Sequence, residues 1–152
     1  MRIICKTTIN QSLPQVWAGF DRHLFEQLTP IFPPVRIIRF DGCLRGDVVQ
    51  LELNFFLFHQ NWVSLIVDQK TASDEIYFID QGTQLPFFLS YWQHHHRLHR
   101  IIDPKTAQEQ TVIVDDVTFR TPFLLTNVLV YPVLWLQFLG RKFTYKRRFK
   151  RS

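Results

Sequence analysis

The C-terminal segment constrains the fold most. Residues Pro122 to Gly140 read PFLLTNVLVYPVLWLQFLG and contain no charged side chain. The next stretch, RKFTYKRRFKRS, carries Arg141, Lys142, Lys146, Arg147, Arg148, Lys150 and Arg151 and no acid. Val128, Tyr131, Trp135, Phe138, Tyr145 and Phe149 recur at helical spacing, with Lys142 the only interruption. A helix over this segment therefore has one apolar face. Three structures fit it: a helix covering a sheet, a membrane-spanning anchor of about 20 residues, or a basic amphipathic helix on an anionic surface. Pro132 either kinks such a helix or marks its first turn.

The preceding residues discriminate among the three. Arg2 to Ile9 alternates and is rich in β-branched residues, so it reads as a strand. Ser12 and Gln15 have capping-box spacing ahead of Val16, Trp17 and Phe20, and a second short helix carries Leu24, Phe25 and Leu28. Strand signals then follow at Val35–Phe40, Asp47–Phe58, Trp62–Asp68, Glu75–Asp80, Ser90–Ile102 and Gln110–Arg120. Gln81-Gly82 reads as a breaker and Asp103-Pro104-Lys105-Thr106 as a reverse turn. The order strand, two helices, six strands, long helix defines an α+β domain, and the short connections require antiparallel pairing. One face of that sheet needs a cover, and the C-terminal helix is the only element long enough. A single domain over residues 1–152 is expected, with the basic tail 141–152 ending the last helix.

Charge is unevenly placed. Seven of the 18 Lys and Arg lie in the tail, leaving 11 in the body against 13 acids. A net-acidic body excludes a broad nucleic-acid-binding face, while the tail offers weak contact with an anionic membrane surface. Aromatic residues make up 15% of the chain, which suits a wide core or an apolar cavity. Cys5 and Cys43 have no metal-binding spacing, and the N-terminus shows no apolar signal region. A cytoplasmic protein without cofactor is the expectation.

Four stretches resemble the START-like helix-grip superfamily of SRPBCC ligand-binding domains, in particular its small bacterial members. They are TTINQSLPQVWAGF near the N-terminus, FDGCLRGD, LPFFLSYWQHHHRLHR and TVIVDDVTFRTP. The resemblance implies a seven-stranded antiparallel sheet gripping a long C-terminal helix, with a cavity between them. It also implies an apolar ligand such as a lipid, sterol or polyketide, or a cyclase or hydratase reaction.

On an extended strand Trp92, His94, His96 and Leu98 share one face, and His95 and His99 the other. On the next strand Asp115 shares a face with Ile113, Val117 and Phe119. A hairpin over Asp103–Thr106 brings His94, His96 and Asp115 side by side. Two His and one carboxylate match the ligand set of a non-haem iron triad. The reading adopted instead is a buried His–Asp hydrogen-bond network in a cavity wall. Its alternative is an acid–base pair in a cyclase-like enzyme. The expected ligand-binding lining is Trp92, His94, His96, Asp115, Val117, Phe119, Trp135 and Phe138. Glu52 and Asp80 are assigned to the solvent side of the sheet. No P-loop, dinucleotide fingerprint, nucleophile elbow or zinc-protease motif occurs in the chain.

Overall fold

The computed structural model describes residues 1–150; Arg151 and Ser152 of the basic tail lie outside the described residues. The elements run β1 (Arg2–Ile9), α1 (Leu13–Ala18), α2 (Arg22–Gln27), β2 (Val35–Phe40), β3 (Val48–Asn54), β4 (His59–Thr71), β5 (Glu75–Gln84), β6 (Tyr91–Ile102), β7 (Glu109–Arg120) and α3 (Leu124–Arg148). All seven strands form one antiparallel sheet in the order β1-β7-β6-β5-β4-β3-β2. This is the helix-grip α+β arrangement.

Strand alternation places the core. Ile3, Cys5, Thr7 and Ile9 of β1 are buried, and so are Trp92, His94, His96 and Leu98 of β6. The outward residues between them are polar or charged except Ile4, as a sheet solvated on one side requires. One core cluster gathers Val16, Phe20, Leu24, Phe78, Leu98, Ile113, Tyr145 and Phe149 around the short helices. A second gathers Ile3, Cys5, Trp92, Val117, Phe119, Leu134 and Phe138.

The short helices are capped as their sequences dictate. Gln15 Oε1 accepts from Ser12 N at 3.2 Å, and Asp21 Oδ1 accepts from Leu24 N at 2.8 Å. Arg148 at the end of α3 donates to the same Asp21 at 2.8 Å, so the basic end of α3 is tied to the start of α2.

Several boundaries differ from the sequence reading. Residues 55–58 leave the strand and form a hairpin turn, with Phe56 at φ 67° and Asn54 Oδ1 accepting from Phe56 N. The aromatic run looks strand-like by composition, but turn geometry ends the ladder there. Gly82 does not break β5, which continues to Gln84 beside an irregularity in the β4–β5 register. A side chain at Gly82 would collide with Leu85 and crowd Trp92. Pro132 lies inside α3 without ending it. Pro132 has no N–H to donate to the Val128 carbonyl, and Val128 is an exposed residue.

Only part of α3 is buried: Leu134, Phe138 and Tyr145 face inward, and Phe149 packs just beyond the helix end. Trp135 and Val128, expected on the inner face, are 41% and 59% exposed. Relative to Phe138, helical geometry puts Leu134 and Arg141 on one flank and Trp135 and Lys142 on the other. The cavity lies on the first flank.

Candidate functional site

Between the sheet and the N-terminal half of α3 lies a cavity of about 350 Å³. Its walls are apolar: Val35, Val49, Leu51, Leu53, Trp62 and Phe78 from the sheet, Leu129, Val133 and Phe138 from α3, Phe25 from α2 and Leu28 just after it. The mouth is apolar as well, because Phe32, Leu129 and Val133 line the cavity and are also exposed. Phe56 stacks on Phe32 with ring centroids 6.0 Å apart and extends this rim.

The polar groups converge at one end. His94 and His96 project from the buried face of β6, with their ring centroids 3.5 Å apart and the rings tilted by 34°. Each imidazole lies between two carboxylates. Asp80 comes from β5, where it pairs with His94 across the ladder, and Asp115 comes from β7, where it pairs with His96. His94 Nε2 is 3.0 Å from Asp115 Oδ1, and His94 Nδ1 is 3.6 Å from Asp80 Oδ2. His96 Nε2 is 3.3 Å from Asp80 Oδ2, and His96 Nδ1 is 3.6 Å from Asp115 Oδ1. Trp92 Nε1 donates to Asp80 Oδ1 at 3.0 Å, and the Tyr145 hydroxyl donates to Asp115 Oδ1 at 3.2 Å. Arg141 lies over the Phe138 ring, 4.3 Å from its centroid, and 3.7 Å from Asp115.

Electrostatics follow from this burial. Desolvation, reinforced by the neighbouring His96, pushes His94 down to about 4 and keeps it neutral, although Asp115 and Asp80 pull the other way. Burial alone would raise Asp115, but the His94 hydrogen bond and the electrostatic pull of the adjacent imidazole and of Arg141 outweigh it and hold the carboxyl at about 2. Asp80 is likewise lowered, its burial overcome by the two imidazoles. The Tyr145 phenol is driven far up by burial and by Asp115. The floor is thus two carboxylates, two imidazoles and one guanidinium beneath an apolar chamber.

Of the expected lining residues, Trp92, His94, His96 and Phe138 reach the cavity. Asp115 does not; it sits behind the imidazoles, 3% exposed, under Tyr145. Val117 and Phe119 face the same side of the sheet but are closed off in the core with Ile3, Leu134 and Phe138. Trp135 points away from the chamber, as the helix geometry above explains. Asp80, assigned to solvent, is instead a floor residue, and Arg141 joins it from α3. Asp80 was findable: it has the same parity as Ile76 and Phe78, both buried, and lies opposite His94 in the β5–β6 hairpin. Tyr77 and Ile79 are apolar too, so alternation gave no contrast. Asp80, His94 and His96 bring one ligand atom each within 4.8 Å of one another, the spacing needed to hold a metal ion.

No protein-family model matches the chain, and no curated protein matches it. Solved structures do match in fold. The Zhui aromatase/cyclase from Streptomyces sp. R1128 superposes with a TM-score of 0.60 at 13% identity, covering 95% of this chain and 90% of that one. Truncated norcoclaurine synthase from Thalictrum flavum gives 0.62 at 15% identity, covering 100% and 95%. Ara h 8.0201 gives 0.53 at 12% identity, covering 95% and 97%. The protein therefore has the helix-grip fold that these structures share.

Proposed function

We propose that this domain binds or carries a hydrophobic small molecule in the chamber between the sheet and α3. One observation carries the reading: an apolar cavity of about 350 Å³ in which Asp80 and Arg141 are, among the described residues, the only Asp, Glu, Lys or Arg of the lining. Such a site buries the apolar part of a ligand and uses a few polar groups to fix its orientation. Asp80, His94, His96 and Arg141 are those groups here, and Asp115 supports them from behind. A structure of the same fold, norcoclaurine synthase, holds dopamine and hydroxybenzaldehyde, each an aromatic body with polar ends.

The enzymatic alternative uses the same floor. Asp80 faces the chamber and shares His96 with Asp115, an acid–base arrangement suited to proton transfer on a bound polyketide-like substrate. The fold neighbours named as aromatase/cyclase favour keeping this second reading.

An environment-sensitive apolar dye and a series of fatty acids and aromatic polyketide mimics test the first reading. Titration followed by fluorescence should give saturable, displaceable binding that Leu51→Trp weakens at least tenfold while the fold is kept. Failure of every apolar probe to bind, with the chain folded, would refute it.

A further inference from the structure

We propose that Asp80, His94 and His96 form a binding site for one divalent first-row transition-metal ion at the floor of the cavity, with its open coordination positions facing the apolar chamber. The sequence alone pairs the two histidines with Asp115. The structure brings a different carboxylate to the ligand position and gives Asp115 another task.

Distances set the geometry. Two donor atoms bound at about 2.1 Å to one tetrahedral ion lie about 3.4 Å apart. Asp80 Oδ2 is 3.6 Å from His94 Nδ1 and 3.3 Å from His96 Nε2. Both separations match that spacing, and the second is long for a hydrogen bond. Two imidazoles and one carboxylate, with room for further ligands, are a donor set that suits zinc, iron, manganese or cobalt over calcium or magnesium.

The tautomers point the same way. His94 Nε2 donates to Asp115 Oδ1 at 3.0 Å. The lone pair on His94 Nδ1 is then directed towards Asp80 Oδ2, so two electron-rich atoms face each other in a buried site. A cation between them removes that conflict. A ligating histidine whose other ring nitrogen donates to a carboxylate is the usual support for a metal site, and Asp115 supplies it. Asp115 is itself fixed by the Tyr145 hydroxyl at 3.2 Å. His96 repeats the pattern less closely: its Nδ1 is 3.6 Å from Asp115 Oδ1 and has no hydrogen-bond partner among the described residues. Slight closure of β6 on a bound ion would give that buried nitrogen its acceptor. The ion would also offset the charge of two carboxylates opposed by Arg141 alone.

The site does not depend on the identity of the organic ligand. An ion here meets the polar end of whatever occupies the chamber, with an oxygen donor as the natural fit.

Elemental analysis of the purified chain, and titration of the EDTA-stripped chain with Zn²⁺ or Co²⁺ by calorimetry and visible absorption, test the site. One equivalent should bind, and Co²⁺ should show the d–d bands of a low-coordinate nitrogen–oxygen site. His94→Ala, His96→Ala and the near-isosteric Asp80→Asn should each weaken binding at least about 100-fold. Asp115→Asn should weaken it about 10- to 100-fold. His59→Gln with His99→Gln, both on the surface, should change nothing. Absence of stoichiometric binding or of the Co²⁺ bands in the unmutated chain would overturn the proposal, whatever the variants do. So would binding that Asp80→Asn leaves intact in a folded chain. Apolar-probe binding by the EDTA-stripped chain is read separately, so the two proposals can fail independently.

Discussion

Acidification is the most direct perturbation of the polar floor. Burial and the adjacent His96 lower His94 from 6.5 to about 4 in the folded chain. Between those values the unfolded chain binds a proton on His94 that the folded chain refuses, so stability is full above pH 6.5 and falls as the pH drops towards 4. A pKa difference of about 2.5 corresponds to about 3 kcal/mol, of which about 2.5 kcal/mol is gone by pH 4.5. Asp115, held at about 2 against a normal 3.8, adds a loss in the same direction at still lower pH. Against a total of about 5–15 kcal/mol for a domain, the His94 contribution is large. Urea unfolding at pH 7, 6, 5 and 4.5, with EDTA present to remove any bound metal, measures it. His94→Gln should be less stable at pH 7 and should lose most of this pH dependence. A small slope remains from His95, which burial also lowers. Equal stability of the unmutated chain at pH 7 and 4.5 would refute the reasoning, as would an unchanged slope in His94→Gln.

Three further outcomes are expected. Tyr145→Phe leaves Asp115 without its hydroxyl donor in a fully buried site and should cost about 1–3 kcal/mol by urea unfolding. Tryptophan substitutions should separate cavity from core: Leu51→Trp weakens apolar-probe binding with little change in stability, whereas Val117→Trp overpacks a closed core and costs about 1–3 kcal/mol by the same unfolding assay. The basic end of α3 should bind anionic vesicles weakly and with steep salt dependence. Co-sedimentation at low and physiological salt, with and without Lys146→Glu and Arg147→Glu, checks this, and tight binding at high salt would contradict it.

The legible part of this chain is what periodicity encodes. Alternation in β1 and β6 identified the buried face, and the position of the hairpin turn set His96 opposite Asp115 and His94 opposite Val117. Pairing short-turn strands around a long helix was enough for the architecture. Side-chain depth was not legible. Asp115, Val117 and Phe119 share the inward face with His94, yet α3 covers that part of the sheet, so they meet the core and not the chamber. The helix stripe was read with Trp135 and Lys142 because aromatic residues dominate it. The flank that faces the chamber carries Leu134 and Arg141, and only the position of α3 against β1 decides between the flanks. Alternation did not single out Asp80, because both faces of β5 are apolar at residues 76–79; its place opposite His94 in the β5–β6 hairpin is the signal that marks it.

The apolar character of α3 serves two different ends along its length. By length and composition α3 is apolar enough to cross a bilayer, yet only 11% of its most apolar window is buried. The C-terminal half is held by specific contacts: Phe138 and Tyr145 in the core, the Tyr145 hydroxyl on Asp115, and Arg148 on Asp21. Withdrawing it would strip Asp115 of a donor and expose the sheet face between the two core clusters. The N-terminal half makes few such contacts and instead forms one side of the cavity mouth through Leu129 and Val133. Of the other segments that line the chamber, residues 28–35, 53–67 and 81–96 contain no Asp, Glu, Lys or Arg. An apolar molecule entering there displaces no bound charge and desolvates no ion. It first meets charged groups at Asp80 and Arg141, where paired partners already hold them. Keeping charge away from the mouth and concentrating it at the floor thus orients a ligand as well as admitting it.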